Sequence, residues 1–550
     1  MSAPFIHLHP EDNVLIALEN LEADRKISFN GMEFILKQDV PAKHKFAIAD
    51  LKTGDAVIMY GVLVGRASRQ IPLAGLINTN NLTNALEDYS TEIKDNNWTI
   101  PDVSAWKSRT FDGFYRTDGR VGTANYWLVL PLTFCENRNI EVLKSTLSET
   151  LGYATEKDFK LDIQPLVKFY REGKSEDKIL DAHIIRNPQD LSRNRIFRNV
   201  DGIKFLTHDG GCGGTYQDSE SLSALIAGYI THPNVAGATI LSLGCQHLQI
   251  PFIHKTIRKI DPSFSKPLVV LEQQASKSEQ EFLAEVVKKT FVGLIEANKI
   301  ERKPAPLSKL TLGLECGGSD GFSGISANPT LGYVSDMLTA LGGITILSEF
   351  PELNGVEQEL LNRCVDRKLA EKFASIMKKY SELAIAVGSG FSNNPSPGNI
   401  RDGLITNTMK SAGAAKKGGT SPVTDVLNYT EQAINPGLNL LCTPGNDVES
   451  TTGLAGSGAN IIVFTTGLGT PTGNPISPVI KVSSNTLLYE RMKDIIDFDA
   501  GSIINGNDSI QSLGEKLLDY IIEVASGRVT PAAVRLGQDD FIPWKRGVSL

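Results

Sequence analysis

The sequence predicts an α/β protein: a small β-rich domain at the N-terminus, then two α/β units with mainly parallel sheets. Three observations predict it. Across residues 1–92, short runs of β-type residues are broken by Gly, Asn-Gly and Thr-Gly-Asp. Across 111–300, apolar strand-like runs alternate with helical stretches, the pattern of a parallel sheet covered on both faces. Across 308–550 the same alternation returns. Polar linkers containing Pro separate the units at 93–110 and 301–307.

Composition narrows the function. Hydrophobic residues make up 41% of the chain, ordinary for a globular protein. A net charge of −8 argues against a nucleic-acid partner. No apolar run reaches the roughly 20 residues that a bilayer span needs, so no membrane partner is expected. The first residues lack the apolar core of a signal peptide, so the expected location is cytoplasmic, with all six cysteines as thiols. A homodimer is the base-rate expectation for assembly.

In the first unit, 12–21 carries apolar residues at helical spacing and predicts a short helix; β-type runs follow at 26–29, 32–36, 46–48, 56–60 and 62–65. His7, His9 and His44 stand alone and read as surface or hydrogen-bonded side chains. In the linker, Trp98 and Trp106 are expected to dock on a neighbour. In the second unit, strands are predicted at 126–132, 203–207, 237–243 and 267–271, with helices at 219–229 and 278–298. Open parallel sheets bind ligands beyond the carboxyl ends of their strands. Cys135, Cys212 and Cys245 each follow a strand at that end, the latter two in Gly-rich loops, which gives them ligand or active-site roles.

In the third unit, strands are predicted at 310–314, 344–347, 383–387, 438–441, 461–464 and 479–482. The stretch 315–329 is the densest in chemistry: after a strand come Cys316, four glycines, Ser319, Asp320 and Ser323, and Asn328-Pro329 then opens a helix. Such a loop brings backbone close to a ligand and offers donors and acceptors to a hydroxylated one. Glu349, Asp447, Thr465, Thr466 and Asn485 also follow strands. Cys364 reads as core, and Cys442 ranks below Cys316.

The segments 316–329, Asp118-Gly119-Arg120, Gly211-Cys212-Gly213, Leu243-Gly244-Cys245, Ile346-Leu347-Ser348-Glu349, Asn394-Pro395-Ser396-Pro397-Gly398-Asn399, Thr443-Pro444-Gly445-Asn446-Asp447, Phe464-Thr465-Thr466-Gly467 and Lys481 together resemble the altronate/galactarate dehydratase family. The first unit resembles the SAF-type domain that opens those enzymes, including 40–47 and Tyr60-Gly61. One departure stands out: where the family carries a His-x-His near the end of that domain, this chain reads Asn78-Thr79-Asn80.

The resemblance implies a dehydratase that removes water from a sugar acid, altronate foremost, to give a 2-keto-3-deoxy acid. It also implies iron. Removing the proton beside a carboxylate creates an enediolate-like dianion, and the 3-hydroxyl leaves poorly; a divalent metal meets both needs. The expected cofactor is Fe²⁺, with Mn²⁺ also suited and an iron–sulfur cluster as the alternative. Cys212, Cys245 and Cys316 are the metal-ligand candidates, with Cys135 as a fourth. Asp320, Glu349, His208 and Lys481 are the acid/base candidates. Arg120 is a candidate carboxylate clamp. Asn125, Ser319, Ser323, Asn328, Asp447, Thr465, Thr466 and Asn485 are candidates for binding the polyol. Galactarate dehydration or another hydroxy-acid lyase reaction, such as that of a sulfolactate sulfo-lyase, fits the same scaffold. From a different class, a non-catalytic sugar-acid-binding protein is the alternative. A nicotinamide oxidoreductase is disfavoured, because no Gly-x-Gly-x-x-Gly opens a helix after the early strands.

Overall fold

The most apolar runs of the sequence become central parallel strands. The computed structural model describes residues 4–93, 98–153, 160–186 and 195–549. In the second unit the sheet order is Gly202–Phe205, Tyr126–Pro131, Val235–Ser242, Leu268–Glu272, all parallel. Its two faces are covered separately. Tyr126, Leu128 and Leu130 join one apolar cluster with the Tyr216–Thr231 helix, while Trp127 and Val129 join another with the Glu279–Ala297 helix.

The third unit has a seven-stranded sheet in the order Val423–Leu427, Gly437–Leu441, Ile344–Leu347, Thr311–Cys316, Ile461–Thr466, Val479–Ser483, Phe498–Asp499, again parallel throughout. Thr311–Cys316 comes first in sequence and sits in the middle. Strand order therefore reverses beside it, and its carboxyl end faces the crevice where such sheets bind ligands.

The N-terminal domain is strand-rich and antiparallel. The helix expected over 12–21 is instead the strand Val14–Ala17. Val14 and Ile16 enter one apolar cluster, Leu15 and Ala17 another. With both faces apolar, the period-2 signal of a strand disappears from the sequence. The strand expected over 383–387 belongs instead to the helix Arg367–Ala386, which Asp366 caps at its start. Leu383 and Ile385 are exposed there, so this apolar run does not report burial. Both linkers are more structured than expected. Lys303–Pro306 pairs with Thr110–Tyr115, its prolines tolerated on an edge strand, and Trp106 Nε1 donates to Asp519 at 2.8 Å.

A shared core joins the N-terminal domain to the third unit: Val14, Ile16, Met59 and Val64 pack with Phe322, Ile325, Ile405 and Met409. An ionic latch crosses the same seam. Lys43 Nζ reaches Asp320 Oδ2 at 3.0 Å and Asp402 Oδ1 at 2.7 Å. Lys45 Nζ donates to the Gly403 carbonyl at 2.6 Å and the Lys43 carbonyl at 2.9 Å. Burial draws the Lys45 ammonium down to about 7, with Asp320 pulling the other way.

Asp320 is thus an anchor and not the acid/base group expected. Its Oδ1 accepts from Ser484 Oγ at 2.7 Å, Ser323 Oγ at 2.9 Å and Phe322 N at 3.2 Å, and its Oδ2 from Asn485 Nδ2 at 3.2 Å beside Lys43. Asp320→Ala strips all these donors of their acceptor. The expected loss is about 3 kcal/mol, read from urea unfolding of the full chain. Lys299→Ala, whose ion pair with Glu296 is exposed, is expected to change stability by less than about 1 kcal/mol.

Candidate active site

The Thr311–Cys316 strand ends in Glu315 and Cys316, both buried, with Gly317 and Gly318 beyond them. Next to it, the Ile344–Leu347 strand runs into Ser348 and Glu349. Glu349 has a φ of 64°, a left-handed conformation uncommon for a residue with a side chain. That turn aims its carboxylate back at Cys316: the Cys316 N–H donates to Glu349 Oε2 at 3.2 Å. Glu352 follows one short turn later, its Oε2 at 3.7 Å from Cys316 Sγ. Among the described residues, Cys316, Glu349 and Glu352 are the one set of three metal-binding side chains whose ligand atoms all lie within 4.8 Å of one another.

Two buried ammoniums answer these acids. Lys417 Nζ donates to Glu349 Oε2 at 2.6 Å and to Cys316 Sγ at 2.8 Å. Lys410 Nζ donates to Glu352 Oε1 at 2.6 Å and to Asn394 Oδ1 at 3.0 Å. Both lysines are carried by a segment of small residues. The Asn407–Ala415 helix, rich in Ser, Gly and Ala, packs on the Phe350–Leu353 turn and brings in Lys410; the Lys416–Gly418 turn after it packs on the sheet and brings in Lys417.

Protonation follows from these pairs. Burial pushes Glu315 well above the usual carboxylate range, and neighbouring Glu349 adds to it. Burial, then the Glu349 charge, likewise holds Cys316 as a neutral thiol. Burial raises Glu349 despite Lys417, and disfavours charge on Glu352 too, but Lys410 and Lys417 bring Glu352 below its ordinary value. Burial works against the Lys417 charge, yet the surrounding acids outweigh it and keep the ammonium protonated. Glu315 Oε2 accepts from Ser450 Oγ at 2.6 Å and Ser348 Oγ at 2.9 Å. The remaining oxygens, Glu315 Oε1 and Glu349 Oε1, are buried with no other donor. A proton kept by Glu315 and shared with Glu349 satisfies both.

The site opens on a cavity of about 520 Å³ lined by Gly317, Gly318, Glu352, Asn394, Asn399, Lys410, Asp447 and Tyr380, among others. Asp447 opens the helix Asp447–Gly456, which Asn446 caps. Gly317 makes room for it: a Cβ there would lie 2.2 Å from Asp447 Oδ2. No hydrogen bond or ion pair to a described residue occupies the Asp447 carboxyl. Burial, then the charges of Glu349 and Glu352, raise it to about 7. It is an unpartnered carboxyl, beside an ammonium, on the wall of a cavity.

Of the residues singled out in sequence, the fold brings Cys316, Glu349 and Asp447 together here. Cys135, Cys212 and Cys245 lie over the other sheet and do not join Cys316. His208 is a prop: one ring nitrogen bonds the Pro131 carbonyl at 2.9 Å and the other accepts from Gly210 N at 3.1 Å. Lys481 donates to the Thr472 carbonyl and lies over the Phe464 ring, inside the sheet's packing. Arg120 closes its own turn, pairing with Asp118 at 2.6 Å and donating to the Thr231 carbonyl at 2.7 Å. Asn125 donates to the Asn199 and Ala297 carbonyls and accepts from Arg116.

Asn328 is spent on Gly413 O and Thr465 Oγ1, Thr466 on Gly469 N, and Asn485 on capping the Thr486–Arg491 helix. Ser323 serves Asp320, while the Ser319 hydroxyl is buried without a partner and its carbonyl accepts from Asn399 at 2.7 Å. Asn78 and Asn80 form a tight turn, with Asn80 N donating to Asn78 Oδ1 at 2.9 Å, and neither lines the cavity. Sequence reasoning missed Lys410 and Lys417. The available signal was a run of small residues, 411–415, flanked by lysines, which reads as a helix too closely packed to leave those ammoniums in solvent.

The chain matches three family models in succession. They are the altronate/galactarate dehydratase SAF domain over residues 3–85, the D-galactarate dehydratase/altronate hydrolase second domain over 113–298, and the D-galactarate/altronate dehydratase C-terminal domain over 307–549. It is 33% identical over 554 residues to altronate dehydratase of Bacillus subtilis (strain 168), covering 99% of each chain. It is 33% identical over 533 residues to altronate dehydratase of Escherichia coli (strain K12), covering 96% of each. Galactarate dehydratase (L-threo-forming) of the same strain is 28% identical over 535 residues, 96% of this chain and 94% of that protein.

Lys417→Met leaves buried Glu349 without its counter-charge, with an expected loss of about 3–5 kcal/mol in urea unfolding. Adding Glu349→Gln to it is expected to return about 1–3 kcal/mol of that loss.

Proposed function

This chain belongs to the altronate/galactarate dehydratase family, and from that premise we propose that it is a metal-dependent hydro-lyase converting altronate to a 2-keto-3-deoxy acid. The observation that carries the reading is Asp447, an unpartnered carboxyl poised near neutrality on the wall of the cavity that Lys410 also lines. A general base works best with a pKa close to the working pH. The Lys410 ammonium has three N–H donors, two of them taken by Glu352 and Asn394. The third holds the substrate carboxylate and stabilises the charge that builds there as the C2 proton leaves. Asp447 takes that proton. Now a neutral acid, it returns the proton to the departing 3-hydroxyl, which leaves as water, and the enol tautomerises to the keto acid.

The donor set suits a divalent ion. Cys316, Glu349 and Glu352 offer one thiolate and two carboxylates, a mixture that favours Fe²⁺ or Mn²⁺ over Mg²⁺. Glu315 and Cys316 each hold a proton in the ion's absence, so a dication that displaces both leaves the net charge of the cluster unchanged. Bound there, the ion would supply Lewis-acid stabilisation of the enediolate and of the leaving hydroxyl.

Two observations favour altronate over galactarate. Identity is 33% to the two altronate dehydratases against 28% to the galactarate dehydratase. Among the residues lining the cavity, Lys410 is the one cation, which matches a single carboxylate better than two. Anaerobic turnover of D-altronate and galactarate on iron-loaded protein tests this. Faster formation of a 2-keto-3-deoxy acid from altronate is expected; no turnover of either acid by folded, loaded protein would overturn the assignment.

The base role predicts a pH profile. Asp447 acts ionised, so kcat/KM should fall as pH drops through about 7. Asp447→Asn should lower kcat about 10²–10⁴-fold and remove that acid limb from the residual rate. For the metal, adding Mn²⁺ to chelator-treated protein in weak buffer should release about two protons per chain, and Cys316→Ser should reduce this to about one. Mn²⁺ binding with no proton release would overturn the ligand set.

A further inference from the structure

One wall of the Asp447 cavity is a single loop. Residues 390–399 supply it, among them Asn393, Asn394, Ser396 and Asn399. The loop is held at both ends. Phe391 sets its ring edge-on to Tyr380, centres 5.3 Å apart, and Asn399 Nδ2 donates to the Ser319 carbonyl at 2.7 Å. Most of its polar side chains keep the loop in shape. Ser396 and Asn399 form a reciprocal cap on the Pro397–Arg401 helix, and Asn393 Nδ2 donates to Ser389 Oγ at 2.8 Å. Asn394 turns instead to the Lys410–Glu352 pair.

These three side chains close a triangle of hydrogen bonds. Lys410 Nζ donates to Glu352 Oε1 at 2.6 Å and to Asn394 Oδ1 at 3.0 Å, and Asn394 Nδ2 donates to Glu352 Oε1 at 3.1 Å. The triangle fixes which way the amide faces. An ammonium can only donate and a carboxylate can only accept, so the amide oxygen meets the lysine and the nitrogen meets the glutamate. That nitrogen carries two hydrogens. Glu352 takes one, and the other has no acceptor among the described residues. The two diverge in the amide plane, so the free one points away from Glu352. Lys410 also has one hydrogen left. Two free N–H donors thus stand side by side on one cavity wall, on side chains bonded to each other. A carboxylate matches that pattern, since each of its oxygens can accept from one of two neighbouring donors.

We propose that Asn394 is a substrate-binding residue that grips the carboxylate of a hydroxy acid together with Lys410, each through its one free N–H. The grip rests on the dehydratase reading of this cavity and deepens it. Lys410 supplies the charge, and Asn394 supplies direction. A carboxylate held at both oxygens cannot turn about the ammonium, so C2 keeps one orientation towards Asp447. As the C2 proton leaves, negative charge builds on both carboxyl oxygens, and each then faces a donor already in place.

The test compares wild type with Asn394→Ala and Asn394→Asp. KM and kcat for D-altronate are measured on the metal-loaded full chain, and Kd for D-altronate by calorimetry on chelator-treated protein. Both variants lose the free amide N–H. KM and Kd should rise about 10- to 100-fold in each, the worth of a hydrogen bond to a charged group, with circular dichroism unchanged. Asn394→Asp is the decisive variant, because it keeps an oxygen for Lys410. A side chain that only props Lys410 would be replaced by it, so wild-type KM and Kd in that variant would overturn the grip. A fall in kcat with KM and Kd unchanged would do the same. Ser392→Ala alters an exposed side chain of the same loop, outside the cavity lining, and should leave both constants as in wild type. An equal rise there would mean that loop shape sets affinity, against the grip. Two failures are distinguishable. Wild type that neither binds nor converts D-altronate or galactarate brings down the dehydratase reading and the grip with it; active wild type matched by Asn394→Ala brings down the grip alone.

Discussion

One buried ammonium sets the terms for the rest of the third unit. Lys417 sits against the Cys316 sulfur and the Glu349 carboxylate with almost no solvent access. Isolated charges at that depth are strongly disfavoured, so each must find its opposite within hydrogen-bond distance. The strained turn at Glu349, the close-packed helix of small residues before Lys417, and the serines holding Glu315 all follow from that requirement. Lys410 and Glu352 repeat the arrangement at the cavity wall, where one ammonium hydrogen is still free for a ligand. The buried pair is scaffold, and the half-open pair is available for chemistry.

The stretch 315–329 divides its residues between two tasks. Its first half, Glu315 to Gly318, belongs to the acid cluster and the cavity floor. Its second half, Asp320 to Ile325, belongs to the seam with the N-terminal domain, through the Lys43 latch and the shared apolar core. Fewer than ten residues therefore join this cavity to the N-terminal domain. Movement of that domain would be felt at the site through one short, hydrogen-bonded loop.

The sequence made the sheets legible because parallel strands buried on both faces are long and apolar, as in Tyr126–Pro131 and Ile461–Thr466. It misled at Val14–Ala17 and over 383–387, where apolar periodicity alone cannot tell strand from helix. Within the site it pointed to Cys316, Glu349 and Asp447, because each stands at the end of a strand or a few residues beyond it. Lys410 and Lys417 were invisible to that rule, since they reach the site from the Asn407–Ala415 helix and the Lys416–Gly418 turn after it, Lys417 lying 101 residues beyond Cys316.

Why the same rule over-assigned so many residues is itself a physical point. Loops after strands must satisfy their own backbone and cap the helices that follow, and Asp, Asn, Ser and Thr do that work. Asp320 and Asp447 look alike in sequence, each an acid a few residues beyond a strand with a glycine within two residues. Asp320 accepts four hydrogen bonds and an ammonium, and has nothing left to offer a substrate. Asp447 has no hydrogen-bond partner among the described residues, and burial, then the charges of Glu349 and Glu352, raise it to about 7. The difference lies in which donors the rest of the chain delivers to each carboxyl. That is set in part by contacts distant in sequence, such as Lys43 to Asp320 and Ser484 to Asp320, the latter across 164 residues, which no local pattern encodes. A reactive group on this scaffold is recognised less by its type or place than by the hydrogen bonds it has been left without.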